Sequence, residues 1–109
     1  MTVKNFADKL GFECLCMPEP DREVGGTYIG DLLSWVMGRA DADSVWITIM
    51  SNVNIVAVAT LSDVACILLA EGVSLDSEVL RTAEEKGVNV LKTDLPAYEA
   101  AVKISKVLC

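Results

Sequence analysis

The sequence has 109 residues, of which 52% are hydrophobic and 23% are charged, a balance that excludes intrinsic disorder. Its 9 basic and 16 acidic residues give a net charge of −7, which disfavours binding to nucleic acid and to anionic membranes. The length predicts one domain over residues 1–109. Since no long apolar stretch and no signal-peptide pattern is present, we expect a cytoplasmic protein.

The N-terminal quarter predicts a helix, a strand and a loop in that order. Residues 2–10 carry apolar side chains at helical spacing, and Gly11 follows as a residue suited to end the helix. Residues 12–17 predict a strand that Pro18 stops. Residues 21–26 then read DREVGG, which is typical of a turn-rich loop.

The next segment predicts a helix that ends at Gly38, because apolar residues recur every three or four positions. Trp35 falls off this apolar stripe, and a solvated tryptophan is costly, so we expect Trp35 to make a subunit contact. The side chains predicted to form the buried face of the helix are Tyr28, Ile29, Leu32, Leu33, Val36 and Met37.

The remaining segments continue the alternation of strands and helices. Residues 45–50 and 64–70 predict buried strands, residues 88–92 predict a short strand, and residues 74–86 predict a helix. Residues 54–63 are ambiguous: Val and Ile favour a strand, whereas length and Ala content permit a helix. We choose the helix because it preserves the alternation. A last helix is predicted to bury Leu95, Tyr98, Val102 and Val107.

Strands that alternate with helices imply right-handed crossovers. The predicted fold class is therefore α/β, with three layers and a mostly parallel β-sheet with flanking helices.

The stretch GGTYIGDLLSWVMGRA, residues 25–40, and the following SVWITIMSNVNIVAVATLSDVACILLAEG resemble the DRTGG domain family. The naming motif is incomplete: Asp21, Arg22, Gly25 and Gly26 are present, but Glu23-Val24 replaces a single threonine. The later half, from ACILLAEG onward, is similar to the N-terminal domain of HPr kinase/phosphorylase. These resemblances imply a non-catalytic regulatory domain with an HPr kinase N-terminal-domain-like fold.

Two groups of residues are candidates for ligand binding. Gly25, Gly26 and Gly30 cluster around the start of the predicted helix, where backbone N–H groups can cradle an anion beside Arg22. A glycine turn explains the same residues without a ligand. The second group follows the predicted strands, at the sheet edge where α/β folds bind ligands, and its residues either line a pocket or cap helices. It comprises Ser51, Asn52, Asn54, Glu71, Gly72 and Thr93, with Asp94 beside them.

Catalytic alternatives are poorly supported by the residue types. The chain contains no histidine, which removes the usual general base and metal ligand. Asp31, placed on the first turn of the predicted helix, could pair with Asp94 in a small carboxylate-dependent enzyme. Cys14 and Cys16 would point to the same face of a strand and could form a redox or metal switch, although reduced buried thiols explain them as well. We therefore predict no enzyme activity, no cofactor and no metal site.

Taken together, the sequence predicts a regulatory or sensory domain that forms a homodimer. The predicted dimer interface is an apolar surface that includes the 28–38 helix. The expected ligand is a small anionic metabolite or a nucleotide, or else a partner protein.

Overall fold

The computed structural model describes residues 1–108, which form five helices and five strands. Their order confirms the predicted α/β class. The helices are α1 (Val3–Leu10), α2 (Leu33–Arg39), α3 (Asn54–Ser62), α4 (Ser77–Glu85) and α5 (Ala97–Leu108). The strands are β1 (Glu13–Cys16), β2 (Gly26–Ile29), β3 (Ser44–Thr48), β4 (Cys66–Leu69) and β5 (Val90–Lys92).

The strands form one sheet in the order β1-β5-β4-β3-β2. Strands β2 to β5 are parallel, and β1 pairs antiparallel with β5 at one edge. Because each crossover from β2 to β5 moves one strand along, right-handed connections place α2, α3 and α4 on one face. Helices α1 and α5 cover the other face, so the molecule has three layers.

The core consists of one hydrophobic cluster on each face of the sheet. Phe6 and Ile104 from α1 and α5 pack on one face, against strand residues such as Leu68. Ile55 from α3 and Val79 from α4 pack on the opposite face. Strands β3 and β4 are buried along their whole length, as expected of central parallel strands covered by helices on both sides.

Local signals predicted α1 and α4, and the alternation of strands and helices predicted α3. Helix α1 ends at Gly11, whose φ of 73° is the left-handed conformation that glycine adopts without strain. Residues 54–62 are helical, which confirms the choice made for the ambiguous segment. The side chain of Asp76 caps α4 by accepting a hydrogen bond from the N–H of Val79 at 3.0 Å.

The prediction of a helix beginning near residue 28 was wrong for the first half of that segment. Residues 26–29 are strand β2, which pairs in parallel with β3 so that Tyr28 lies opposite Trp46. The apolar residues spaced three and four positions apart therefore belong to two elements, a short strand and a short helix. The indole N–H of Trp46 donates to the carbonyl of Gly30 at 2.8 Å and fixes the point where the chain leaves the sheet.

Several side chains predicted to be buried are exposed. Tyr98 is 77% exposed because the covered side of α5 carries Ala100 and Ile104 instead. On and before α2, Val36 is buried as predicted. The predicted buried residues that are exposed there are Ile29, Leu32 and Met37.

The five helices are all too short to cross a lipid bilayer, within residues 1–108.

Candidate functional site

The predicted ligand-binding residues lie at opposite ends of the sheet. Arg22, Gly25 and Gly26 come before β2 or begin it, at the end where the parallel strands start. Ser51, Asn52, Asn54, Glu71, Gly72 and Thr93 follow β3, β4 and β5, at the end where those strands finish. The structure therefore separates the predicted residues into two groups, and a single site cannot contain both.

Arg22 contacts three oxygen atoms of the protein through one guanidinium nitrogen. Its guanidinium donates to Oδ1 of Asp43 and lies 2.9 Å from Oδ1 of Asp63. It also donates to the backbone carbonyl of Asp63. Asp43 directly precedes β3, Asp63 ends α3 three residues before β4, and both have left-handed backbone conformations. Arg22 therefore ties the loop before β2 to the turns before the two central strands.

This arrangement does not form the predicted anion cradle. Gly25 and Gly26 lead into a strand rather than a helix, so no helix N-terminus faces a ligand there. The N–H of Gly25 already donates to the carbonyl of Asp43 at 2.8 Å. One guanidinium between two carboxylates also leaves a net negative charge, which repels an anion.

The second predicted group lies in the loops at the opposite end of the sheet. The loops after β4 and β5 are hydrogen-bonded to each other there. The N–H groups of Glu71 and Gly72 donate to the carbonyls of Leu95 and Thr93, each at 2.9 Å. Asn52 accepts a hydrogen bond from the N–H of Asn54 at 2.9 Å, but the residue that caps α3 is Val53, which makes no side-chain capping bond. These backbone donors are occupied, so they are not free to hold a ligand.

Asp31 has a role that the sequence did not indicate. It precedes α2 and does not lie in its first turn, which corrects the prediction. Its Oδ1 accepts from the hydroxyl of Thr48 at 2.7 Å and from the N–H of Ile49 at 3.0 Å. The carboxylate thus joins the end of β2 to the end of β3.

The proposed pairing of Asp31 with Asp94 is excluded by the strand order. Asp31 follows β2 and Asp94 follows β5, and β3 and β4 lie between them. Three strand spacings amount to roughly 14 Å, too far for two carboxylates to share one proton transfer. Together with Glu71, these carboxylates make this edge of the sheet acidic, which suits an anionic ligand poorly.

Cys14 and Cys16 do not share a face of β1. A bulge lies between them, and the register pairs Cys14 with Leu91 but Cys16 with Val90. Those two partners belong to core clusters on opposite faces of the sheet, so the thiols point in opposite directions. Within residues 1–108, no three acidic or thiol side chains are grouped to hold a metal ion. Cys109 lies outside the described residues.

Burial makes two of the thiols poor nucleophiles. It raises the pKa of Cys16 to about 11 and that of the fully buried Cys66 to about 12. Burial also raises the pKa of Cys14, although this side chain is exposed rather than buried as the sequence suggested. Thiolate is the reactive form, so none of these cysteines is activated near neutral pH.

We expect cysteine labelling to follow exposure. With iodoacetamide at pH 8 on the folded protein, Cys14 should react about tenfold faster than Cys16 or Cys66, as measured by peptide mass spectrometry. Labelling of all three at equal rates in urea provides the control for intrinsic reactivity. Fast labelling of Cys16 in the folded protein would contradict this expectation and revive the redox switch.

An apolar surface remains as the best candidate for function. Five of the nine large hydrophobic side chains that are exposed in residues 1–108 belong to α2, α3 or the residue before each helix. Helices α2 and α3 are neighbours on the same face of the sheet. We define the α2–α3 surface by its exposed side chains Leu32, Trp35, Met37, Val53, Ala57 and Leu61.

The sequence pointed to part of this surface and missed the rest. Trp35 is 52% exposed, in agreement with its position off the apolar stripe. Val53 and Leu61 were missed because residues 54–63 are ambiguous between strand and helix. The available signal was composition: residues 54–62 read NIVAVATLS, which has no charged face to turn towards water.

The comparisons with known proteins agree with this architecture. The structure resembles the CBS and DRTGG domains of the regulatory region of Clostridium perfringens pyrophosphatase, solved with the activator diadenosine tetraphosphate. The TM-score is 0.73 and the identity 16%, and the match covers 94% of this chain but only 45% of that one. No match was found among curated proteins. The family model of the DRTGG domain matches residues 2–107. The chain therefore belongs to the DRTGG domain family.

Proposed function

We propose that this chain is a non-catalytic regulatory domain that acts by forming a homodimer through the α2–α3 surface. The observation that carries the proposal is the exposure of apolar side chains on two adjacent helices that have no carboxylate. The regulatory part of the proposal is supported by the DRTGG family and by the regulatory region to which the fold is similar.

The exposure of α3 supports a protein contact. One side of the helix is buried against the sheet, yet the opposite side presents Val53, Ala57 and Leu61 to solvent. Leu61 is 74% exposed. An amphipathic surface helix would carry charged residues at such positions, and contiguous apolar patches on soluble proteins mark interaction sites.

The charge distribution favours a second copy as the partner. Two molecules that each carry a net charge of −7 repel one another unless their carboxylates are kept apart. The chain has 16 acidic residues, but α2 and α3 contain none, and Arg39 is their one charged side chain. This surface is therefore where two copies can approach with little electrostatic cost.

The charges elsewhere do not favour an anionic ligand in this domain. Arg22 is held between two aspartates, and the edge beyond the strands carries Asp31, Glu71 and Asp94. We therefore assign regulation to a protein contact rather than to binding of a nucleotide by this chain.

Replacing Leu61 with arginine is expected to weaken the dimer at least about tenfold, because it places a charge in an apolar contact. Sedimentation equilibrium over a range of protein concentrations measures the dissociation constant. The folded state should be unaffected since the side chain is exposed, and circular dichroism checks this.

Tyr98→Arg is the matched control. Tyr98 is exposed to a similar extent, 77% against 74%, but it lies on α5 at the opposite face of the sheet. The control variant should dimerise like the unmodified chain. Equal weakening by both variants, or a monomer at every concentration of the unmodified chain, would refute the proposed interface.

A further inference from the structure

Building on the proposed dimer, we infer that the two copies are related by a twofold axis along α3, and that Trp35 of each protomer inserts into the groove between α3 and α4 of the other. This inference depends on the proposed function and adds the geometry of the contact. It commits the groove to one occupant, the indole ring of a second copy.

The groove is an open depression of about 460 Å³ between two helices. Its α3 wall contains Val56, Ala57 and Leu61, and its α4 wall contains Thr82 and Lys86. Most of the groove surface is apolar. No carboxylate lines the groove, and its one charged side chain is Lys86. A site of this size and character accepts an aromatic side chain.

Trp35 is a suitable occupant. Its ring is half exposed although tryptophan has the largest apolar area of any side chain. The guanidinium carbon of Arg39 lies 3.7 Å from the ring centroid, which restricts the ring before any partner binds. A partly ordered aromatic side chain loses little conformational entropy on binding, as is typical of residues that dominate an interface.

Trp35 cannot fill the groove of its own chain. Helix α3 lies between α2 and α4 on this face of the sheet, because the three helices follow the strand order β2-β3-β4-β5. Neighbouring helix axes are about 10 Å apart, so the groove is more than one helix width away from α2. Only the Trp35 of another molecule can reach it.

Twofold symmetry then makes both contacts equivalent. Rotation about an axis parallel to α3 exchanges the α2 side of one protomer with the α4 side of the other. The two α3 helices then face each other across the axis, and each tryptophan lies over the partner groove. Such an interface is closed, because each copy supplies one Trp35 and one groove and neither is left over.

Acrylamide quenching of tryptophan fluorescence tests the insertion. The chain has two tryptophans, and Trp46 is fully buried, so the quenchable fraction reports on Trp35. We expect quenching to fall as protein concentration rises through the dimer dissociation constant, measured on the same samples by sedimentation equilibrium. Ala57→Arg fills the groove and should weaken the dimer at least about tenfold and restore quenching, whereas Tyr98→Arg should change neither.

The quenching and sedimentation measurements together distinguish failure of the inference from failure of the proposed function. A dimer whose Trp35 stays as quenchable as in the monomer overturns the insertion but leaves the dimer intact. A chain that stays monomeric overturns both. A double-mutant cycle adds a second test: Trp35→Ala and Ala57→Arg should not be additive, because both remove the same contact. Additive losses in the cycle would refute the contact.

Discussion

Replacing Asn89 with leucine is expected to lower the free energy of unfolding by about 3 kcal/mol, since one buried and two partly buried backbone groups lose their hydrogen bonds to this side chain. Asn89 is 1% exposed. Its side-chain amide donates to the carbonyls of Glu19 and Ala65, at 2.8 and 3.0 Å, and its oxygen accepts from the N–H of Glu19 at 2.9 Å. Leucine has a similar volume but can make none of these bonds. Urea unfolding followed by circular dichroism measures the loss.

Asn5→Leu serves as the control because Asn5 is exposed on α1. It should change the free energy of unfolding by less than about 0.5 kcal/mol. A loss below about 1 kcal/mol in the Asn89 variant would mean that water replaces the amide, and that the loop around Glu19 is not held by this side chain.

The second large effect is expected at Arg22, in the motif that gives the family its name. Arg22→Met retains most of the apolar stem but removes the guanidinium that contacts Asp43 and Asp63. We expect the free energy of unfolding to fall by about 2 kcal/mol at low salt, because two carboxylates and one carbonyl lose their common donor. The aspartates are more than half exposed, so each ion pair taken alone contributes little.

Asp43→Asn in the Arg22→Met background distinguishes repulsion from lost hydrogen bonding. The second substitution should recover part of the stability, since it removes one of the two facing negative charges. If Arg22 instead binds an anion, inorganic phosphate should stabilise the unmodified protein and leave the Arg22 variant unaffected. That result would contradict the structural role assigned here.

The elements with strong local signals were predictable. Helix α4 has a capping aspartate and an amphipathic pattern, so its own residues indicate where it begins and which side is buried. Strands β3 and β4 are buried on both faces and read as uninterrupted hydrophobic runs. The ambiguous α3 was assigned correctly from the alternation of elements, not from its own residues.

Strand β2 could not be predicted from its local sequence. Its four residues gain most of their hydrogen bonds from β3, a partner almost twenty positions away, and their spacing happens to continue that of α2. Gly30 and Asp31 were the available sign of a break. The antiparallel direction of β1 and its bulge depend likewise on β5, so the sequence could not place Cys14 and Cys16 on different faces.

The candidate site was predicted only in part for the same reason. The sequence identified Trp35 and the polar residues after the strands, but hydrogen bonds between loops decide which of those polar groups are free. Arg22 matched a family motif, and only its contacts with Asp43 and Asp63 reveal that its charge is already used. The burial of Asn89 could not be seen because it follows from the path of the loop around Glu19.

The positions of α1 and α5 determine how this domain can be joined to other sequences. Both terminal helices cover the face of the sheet opposite to α2, α3 and α4. Polypeptide attached at either end therefore leaves the domain on the side away from the helices proposed to meet a second copy. Fusions, affinity tags and surface anchors can be placed at both termini with the α2–α3 surface left open.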